Sequence, residues 1–220
     1  MARFTLYGDW SPNYKSVNEY NSDDFIFLNL EGPILKKDFK KKIFLKSGPT
    51  MSSENFLSSN SKGVAILSNN HLFDYGYNGY EQTIIKLNSL NWYFVGAGKN
   101  QLEAFEPLVF KLEDCLIGVL ARCENQFGVA NYTKAGVAGF DSTLYRQIND
   151  LKKKVDLVIV SYHAGAEMSP WPSPNRQDLC RSFIEAGADI IYGHHAHTPQ
   201  GWEKYKNGLI FYGLGNFCVD

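Results

Sequence analysis

The sequence predicts an α/β fold in which layered sheets are covered by helices. Short apolar runs recur along the chain, and segments with apolar residues at helical spacing separate several of them. The runs are near-continuous and rich in Val, Ile, Leu and Phe, as is typical of strands buried on both faces. An Asn-Gly turn near the carboxyl end adds one antiparallel hairpin to this prediction.

Most of the predicted strands lead directly into polar, glycine-rich loops. These strands are residues 4–7, 25–30, 63–67, 116–120, 156–160, 189–192 and 209–212, the last pairing with residues 202–205. Helices are predicted over residues 78–90, from an Asp141 cap to about Lys154, and from Ser173-Pro174 to Ala186 with Gly187 as the stop. The chain shows no repeat or low-complexity linker, so we expect one domain over residues 1–220.

Composition and charge exclude several classes of protein. Of the 220 residues, 44% are hydrophobic and 15% aromatic, which excludes extensive disorder. The 22 basic and 23 acidic side chains leave a net charge of -1, so we expect no nucleic-acid partner. No apolar stretch is long enough to cross a bilayer, and the first residues do not resemble a secretion signal. We therefore expect a cytoplasmic protein with no membrane partner and with free thiols at its four cysteines.

Polar side chains follow the predicted strands throughout the chain. In open α/β sheets the ligand site lies at the carboxyl ends of the strands. Here those ends carry Asp9, Glu31, Asn70, His71, His163, His195, His197 and Asn216. His195 and His197 are two residues apart in an extended loop and can therefore face one site. Imidazole and carboxylate groups together suit first-row divalent metals, so the sequence predicts a metal centre.

Six motifs, in order along the chain, carry a resemblance to a known family. They are Gly8-Asp9, Asn29-Leu30-Glu31-Gly32-Pro33, Ser68-Asn69-Asn70-His71 with Asp74 and Gly76, His163-Ala164-Gly165-Ala166-Glu167, Gly193-His194-His195-Ala196-His197 with Gln200, and Tyr212-Gly213-Leu214-Gly215-Asn216-Phe217. From Gly8 to Phe217 the chain resembles the CapA family of capsule poly-γ-glutamate synthesis proteins, a branch of the calcineurin-like metallophosphoesterase superfamily.

The resemblance implies a four-layer sandwich, in which two mixed sheets are flanked by helices and hold one or two divalent ions of Mn, Zn or Fe. The implied metal ligands are Asp9 and His197 for the first ion, Asn70, His163 and His195 for the second, and Glu31 bridging both. His71 would face the substrate as an acid or hydrogen-bond donor. Asn216 would lie beside a ligand or the substrate, or serve only as a turn residue. Glu167 would orient a ligand, bind a substrate hydroxyl or amine, or form a simple salt bridge.

The chain departs from the superfamily pattern at three positions. Ser11 stands where many metallophosphoesterases have a histidine two residues after the first aspartate, so the first ion loses a nitrogen ligand. Asn69 stands where the run glycine-asparagine-histidine is usual, and Ala164 follows His163 where related proteins often have an aromatic residue. These changes leave a metal site in place and bear on how many ions it holds.

Three functions fit these residues. The first is hydrolysis of a phosphoester by metal-activated water, and the second is hydrolysis of an amide such as a γ-glutamyl bond. The third is a non-catalytic metal-binding module in capsule polymer assembly. In each case the expected partner is a small or polymeric anion. The lysine cluster at positions 36, 37, 40, 41 and 42 would attract such a polyanion or form a solvated loop. Trp171, Arg122 and Glu124 are further candidates for substrate contact.

Overall fold

Two stacked sheets with helices on their outer faces make up the fold. The computed structural model describes residues 2–11, 24–36, 51–52, 62–125 and 128–219. Its strands are β1 Phe4–Ser11, β2 Phe25–Leu30, β3 Ile34–Leu35, β4 Met51–Ser52, β5 Lys62–Ile66, β6 Tyr93–Val95, β7 Ala97–Gly98, β8 Leu108–Leu112, β9 Cys115–Cys123, β10 Gly136–Val137, β11 Leu157–His163, β12 Ile190–His194, β13 Trp202–Tyr205, β14 Gly208–Phe211 and β15 Asn216–Val219. Its helices are α1 Gly76–Ser89, α2 Gln101–Phe105, α3 Thr143–Lys152 and α4 Pro174–Ala186.

The central strands of both sheets run parallel. The first sheet has the order β15-β1-β2-β5-β6 and is parallel at each of these pairs. The second sheet has the order β13-β14-β12-β11-β9-β8, and it is parallel at its centre and antiparallel at both edges. Parallel strands deliver their carboxyl ends to one edge, which is where the polar loops collect.

Three apolar clusters separate four layers of structure. Phe27, Ile66, Val119, Ile159 and Tyr192 belong to the cluster between the two sheets. A second cluster lies between the first sheet and α1, and a third lies between the second sheet and helices α3 and α4. Side chains of β2 enter both the first and the second of these clusters, which explains its unbroken apolar run. The predicted four-layer α/β architecture is therefore confirmed.

The strands and helices differ from the prediction mainly at their ends. β1, β9 and β11 each run three residues or more beyond the predicted stop, so that polar residues such as Asp9 and His163 lie within strands. The α3 helix begins at Thr143, and Asp141 accepts the Thr143 N–H at 3.0 Å from just outside the helix. The Ser173 cap, the Gly187 stop and the β13–β14 hairpin are confirmed.

Short elements were not predicted because they leave little pattern in the sequence. β3, β4, β7 and β10 have two residues each, and α2 has five. Within the described ranges, none of the helices is both long and apolar enough to span a membrane. Cys115, Cys123 and Cys180 are free thiols, as expected. Lysines 37, 40, 41 and 42 of the predicted patch lie outside the described residues.

Gly187 ends α4 in a left-handed conformation with φ of 118°, which L-residues with a side chain rarely adopt. Gly187→Ala should therefore lower the free energy of unfolding by about 1–2 kcal/mol. Gly201→Ala is the matched control, because a Cβ there meets nothing within 4 Å. That control should change stability by less than about 0.5 kcal/mol. Urea denaturation measures both, and equal effects would contradict the assigned role of Gly187.

Candidate metal centre

Eight of the predicted site residues collect at the carboxyl edge shared by the two sheets. Asp9 lies in β1, Glu31 follows β2, Asn70 and His71 follow β5, His163 ends β11, His195 and His197 follow β12, and Asn216 begins β15. All are buried except His197, which is partly exposed, and Asn216, which is exposed. Loops from strands far apart in the sequence therefore meet in one place, as predicted from the strand ends.

Asp9 is held by donors on several sides. Its Oδ1 accepts the Asn29 Nδ2–H at 2.7 Å and lies 3.2 Å from Nδ1 of His194. Its Oδ2 accepts the backbone N–H of His195 at 3.2 Å and lies 3.5 Å from Nδ1 of His197. Burial alone would raise the pKa of Asp9, but His194, Asn29 and His197 outweigh it and keep this pKa below its ordinary value. Asp9 is therefore an ionised carboxylate in the interior.

Glu31 lies at the centre of the histidine cluster. Its carboxyl is fully buried, and Oε1 is 3.7 Å from Nε2 of His163 and 3.6 Å from Nε2 of His197. Ligand atoms of Glu31, His195 and His197 all lie within 4.8 Å of one another, a spacing that can enclose one cation. This central place between histidines of different loops is the position that a bridging ligand requires.

His163 and His197 each have an asparagine side chain beside the ring nitrogen Nδ1. Nδ1 of His163 lies 3.3 Å from Asn29 Nδ2, while its Nε2 lies 3.0 Å from Asn70 Oδ1. Nδ1 of His197 lies 2.8 Å from the side-chain oxygen of Asn216. In metal sites an outer acceptor such as the Asn216 oxygen takes the N–H of one ring nitrogen and presents the other to the ion, whereas Asn29 is a donor that also hydrogen-bonds Asp9. Asn216 is thus the outer partner of His197.

His195 shows the same arrangement with the two nitrogens exchanged. Its Nε2 lies 3.5 Å from Glu124, which is partly exposed, and 3.8 Å from Glu167, which is exposed. Its Nδ1 is buried and has no hydrogen-bond partner among the residues described here. Nδ1 is therefore the nitrogen that remains for an ion. Glu167 accordingly lies beside a histidine, consistent with orienting a ligand.

His163 and His195 are held in the form that binds metal. Burial lowers the pKa of His163 well below its usual value, and the neighbouring histidines lower it further. Burial also lowers the pKa of His195, against the opposing effect of Glu124 and Glu167. Neutral imidazole is the ligand form of histidine, so these rings need no deprotonation to bind an ion near neutral pH.

The residues present fit a divalent ion. Asp9, Glu31 and Asn70 offer oxygen atoms, and the three histidines offer borderline nitrogen atoms, which together suit Mn, Fe or Zn. Ser11 is fully buried, and its hydroxyl has no hydrogen-bond partner within the described ranges. Position 11 therefore supplies no nitrogen ligand, and the histidine nitrogens nearest to Asp9 are those of His194 and His197.

The imidazole of His71 contacts the carboxylate of Asp74. Its Nδ1 lies 2.8 Å from Asp74 Oδ2, and its backbone N–H donates to Asn69 Oδ1 at 3.1 Å. Asn69 also donates to the backbone oxygen of Leu30 at 2.8 Å, so this side chain fixes the loop where a glycine is usual. Asp74 orients the ring and leaves Nε2 available at the edge of the site.

Sequence reasoning missed several residues and misplaced one. Asn29 and His194 both face Asp9, and the sequence motifs that contain them do not reveal this role, although both are polar residues at strand ends. Arg122 does not reach the site, because its guanidinium lies 4.1 Å above the Phe105 ring and donates to Gln147. Both faces of β9 are buried near Arg122, so the sequence pattern does not show which face of the sheet this side chain occupies. Trp171 is largely exposed.

Two solved structures share the overall architecture. A crystal structure of a hypothetical protein from Thermus thermophilus covers 87% of this chain and 65% of its own, with a TM-score of 0.52 and 14% identity. The crystal structure of a novel phosphatase from Mycoplasma pneumoniae covers 87% of this chain and 60% of its own, with a TM-score of 0.53 and 18% identity. At these identities the likeness concerns the fold alone.

Curated relatives are closer in sequence. The chain is 32% identical to the capsule biosynthesis protein CapA of Bacillus anthracis, over 94% of this chain and 53% of that protein. It is 31% identical to the PGA biosynthesis protein CapA of Bacillus subtilis (strain 168), over 91% of this chain and 54% of that protein. The chain thus spans about half the length of these relatives. The family model described as "Bacterial capsule synthesis protein PGA_cap" matches residues 5–220, so the chain belongs to this family.

Proposed function

We propose that this chain is a metal-dependent hydrolase that cleaves a phosphoester bond. The observation that carries the proposal is the arrangement of three histidines around Glu31. His195 and His197 each have one ring nitrogen beside an oxygen that can accept its N–H. The other nitrogen of His195 has no hydrogen-bond partner within the described ranges, and Nε2 of His197 lies 3.6 Å from Glu31. Nε2 of His163 lies between Asn70 and Glu31, at 3.0 and 3.7 Å. A metal centre requires rings that are held at one nitrogen and directed to the ion by the other.

By the family resemblance, the ligands would divide into two sets that share Glu31. Asn70, His163 and His195 would hold one ion, and Asp9 and His197 would hold the other. Divalent ions bound there supply Lewis-acid polarisation of the substrate and activation of a water nucleophile. The chain itself contributes the fixed positions of these ligands, because their backbones leave strands that the inter-sheet core holds rigid.

His71 is proposed as the acid that assists the leaving group. Asp74 holds Nδ1, so Nε2 is the atom that would carry a proton to the departing oxygen. Glu167 is proposed to steady His195 from the rim, and Asn216 to steady His197. Neither of these two residues would need to touch the reacting atoms.

Two relatives are named for capsule biosynthesis and for PGA biosynthesis, and we propose such a polymer as the setting for this activity. On that basis an amide in such a polymer, for example a γ-glutamyl bond, is the second candidate substrate, since the same polarisation acts on a carbonyl. A metal-binding module without turnover is the third candidate, and the serine at position 11 is the feature that favours it. The cytoplasmic location and the single-domain organisation stay predictions.

A substrate screen with purified, metal-loaded protein separates these candidates. Phosphomonoesters, phosphodiesters and γ-glutamyl anilides would be offered at equal concentration with Mn, Zn or Fe. Turnover of a phosphoester supports the proposal, and turnover of the anilide alone supports the second candidate. Tight metal binding without turnover of either would overturn the proposed hydrolase and leave the third.

Removing metal should lower the melting temperature. Ligands that bind only the folded state stabilise it, by about 2.7 kcal/mol at a free concentration of 100 times Kd. A chelator should therefore destabilise the protein as purified, and Mn or Zn should restore it. Asp150→Asn, a change at an exposed carboxylate on α3, is the control and should respond as the wild type does. Metal-free protein that melts unchanged on metal addition would contradict the centre.

The two ions should bind with unequal affinity. The set of Asn70, His163 and His195 has two nitrogen ligands, whereas the set of Asp9 and His197 lacks the one that Ser11 replaces. In calorimetric titration, His163→Ala should abolish the tighter binding step, and His197→Ala should remove only the weaker one. Two equally tight steps in the wild type would show that another residue completes the first set.

His71→Asn should reduce turnover in a way that depends on the leaving group. General-acid assistance is worth about 10²–10⁴-fold, and poor leaving groups need it most. Steady-state rates with an alkyl phosphate should fall strongly, and rates with an activated aryl phosphate should fall less. Metal content should stay near the wild-type value. Loss of the ion in this variant would make His71 a ligand, and equal mild losses for both substrates would make it only a loop residue.

A further inference from the structure

Arg176 is a buried cation close to the metal centre that the proposed chemistry does not use. It lies in the first turn of α4, where its backbone N–H donates to the capping Ser173 hydroxyl. Its side chain does not point to solvent, since only 6% of the residue is exposed. Nη2 donates to the backbone oxygen of Tyr212 at 2.7 Å and approaches that of His194 at 3.4 Å.

Two glycines make room for this guanidinium. A Cβ on Gly165 would collide with Nη1, and a Cβ on Gly193 would collide with Nη2. Gly165 follows His163 by two residues and has φ of 110°, and Gly193 directly precedes His194. The arginine therefore lies against three segments at once: the loop after β11, the end of β12 and the residues after β14. These segments adjoin His163, the pair His195 and His197, and Asn216.

The backbone that follows the Arg176 contact at His194 is strained. His195 and His197 have φ of 84° and 56°, a region that residues other than glycine seldom occupy. Each such residue costs about 1–3 kcal/mol and persists only where the surroundings hold it in place. The Nη2 contact to the His194 oxygen is directly adjacent to the first of these strained residues. The hydrogen bond from Arg176 to His194 therefore restrains the backbone directly before the strained residue His195.

Keeping an arginine in the interior is itself unfavourable. Burial lowers the pKa of Arg176, and Cys180, Tyr162 and Glu124 offset this only in part. A methionine of similar length would fill the space without that penalty. A methionine could not donate hydrogen bonds to the backbone oxygens of His194 and Tyr212.

We propose that Arg176 is a positioning residue of the metal centre, which clamps the His194 and Tyr212 backbones so that His195 and His197 keep their ligand geometry. The metal part of this proposal rests on the proposed function, whereas the clamp on the backbone does not. Arg176 contacts neither the ion nor the substrate in this account. Its effect passes through the loop from Gly193 to His197.

The test compares Arg176→Met and Arg176→Lys with Arg181→Met. Arg181 lies on the same helix but is paired with Glu203 at 2.8 Å near the surface, so its loss controls for removing an arginine from α4. Two quantities are measured: Mn or Zn affinity by calorimetry, and hydrogen exchange of peptides covering residues 193–200. Arg176→Lys, which keeps the charge and one donor, guards against a misfolded methionine variant.

We expect Arg176→Met to weaken metal affinity by about 10–100-fold, the usual effect of losing an outer partner. Exchange over residues 193–200 should accelerate beyond any general increase, Arg176→Lys should fall between, and Arg181→Met should match the wild type. Wild-type affinity and exchange in Arg176→Met would overturn the proposal, as would a uniform rise in exchange across the chain. If the wild type binds no ion, the proposed function fails, and the exchange data still decide whether Arg176 clamps the loop.

Discussion

An ionised carboxylate in a protein interior costs several kcal/mol unless cations or hydrogen-bond donors face it. Asp9 and Glu31 are both fully buried at the edge shared by the two sheets, and much of the surrounding structure serves to face them. Asn29 and the His195 backbone donate to Asp9, and histidines from separate loops surround Glu31. Burial keeps the imidazole of His163 neutral, so it brings no positive charge to this place, whereas a divalent ion would face both carboxylates at once.

The buried carboxylates of Asp9 and Glu31 need polar groups around them, and the strand ends that meet at this edge supply those groups. Side chains at strand ends are only as well positioned as the strands, and Asp9 and His163 are themselves strand residues. The inter-sheet cluster, with Phe27, Val119 and Tyr192, fixes the two sheets against each other directly beneath the site. The strain at His195 and His197 is local, and it is held by contacts such as the Met168 N–H to the Ala196 oxygen at 2.8 Å. The packed inter-sheet cluster and the restrained backbone of His195 and His197 together fix the positions of these imidazoles.

The sequence predicted the parts of the structure that depend on burial. The run 25–30 is a strand because both of its faces are covered, and His163 and His195 lie near each other because the parallel strands β11 and β12 end at one edge. The outer partners could not be assigned in the same way. Whether Asn29 faces Asp9 or Arg122 faces Phe105 depends on which side of a strand each residue occupies, and both faces of these strands are buried. Arg176 gave no signal at all, because its partners are backbone atoms far away in the sequence.

The central claim is that an ion lies beside Glu31, and locating that ion tests it most directly. Crystals grown with Mn or Zn would be measured on both sides of the metal's absorption edge to map the anomalous scatterer. The account predicts an ion about 2.0–2.2 Å from a carboxylate oxygen of Glu31, with a nitrogen of His163 or His195 also in contact. An ion found only elsewhere on the surface, or none at saturating metal, would contradict it.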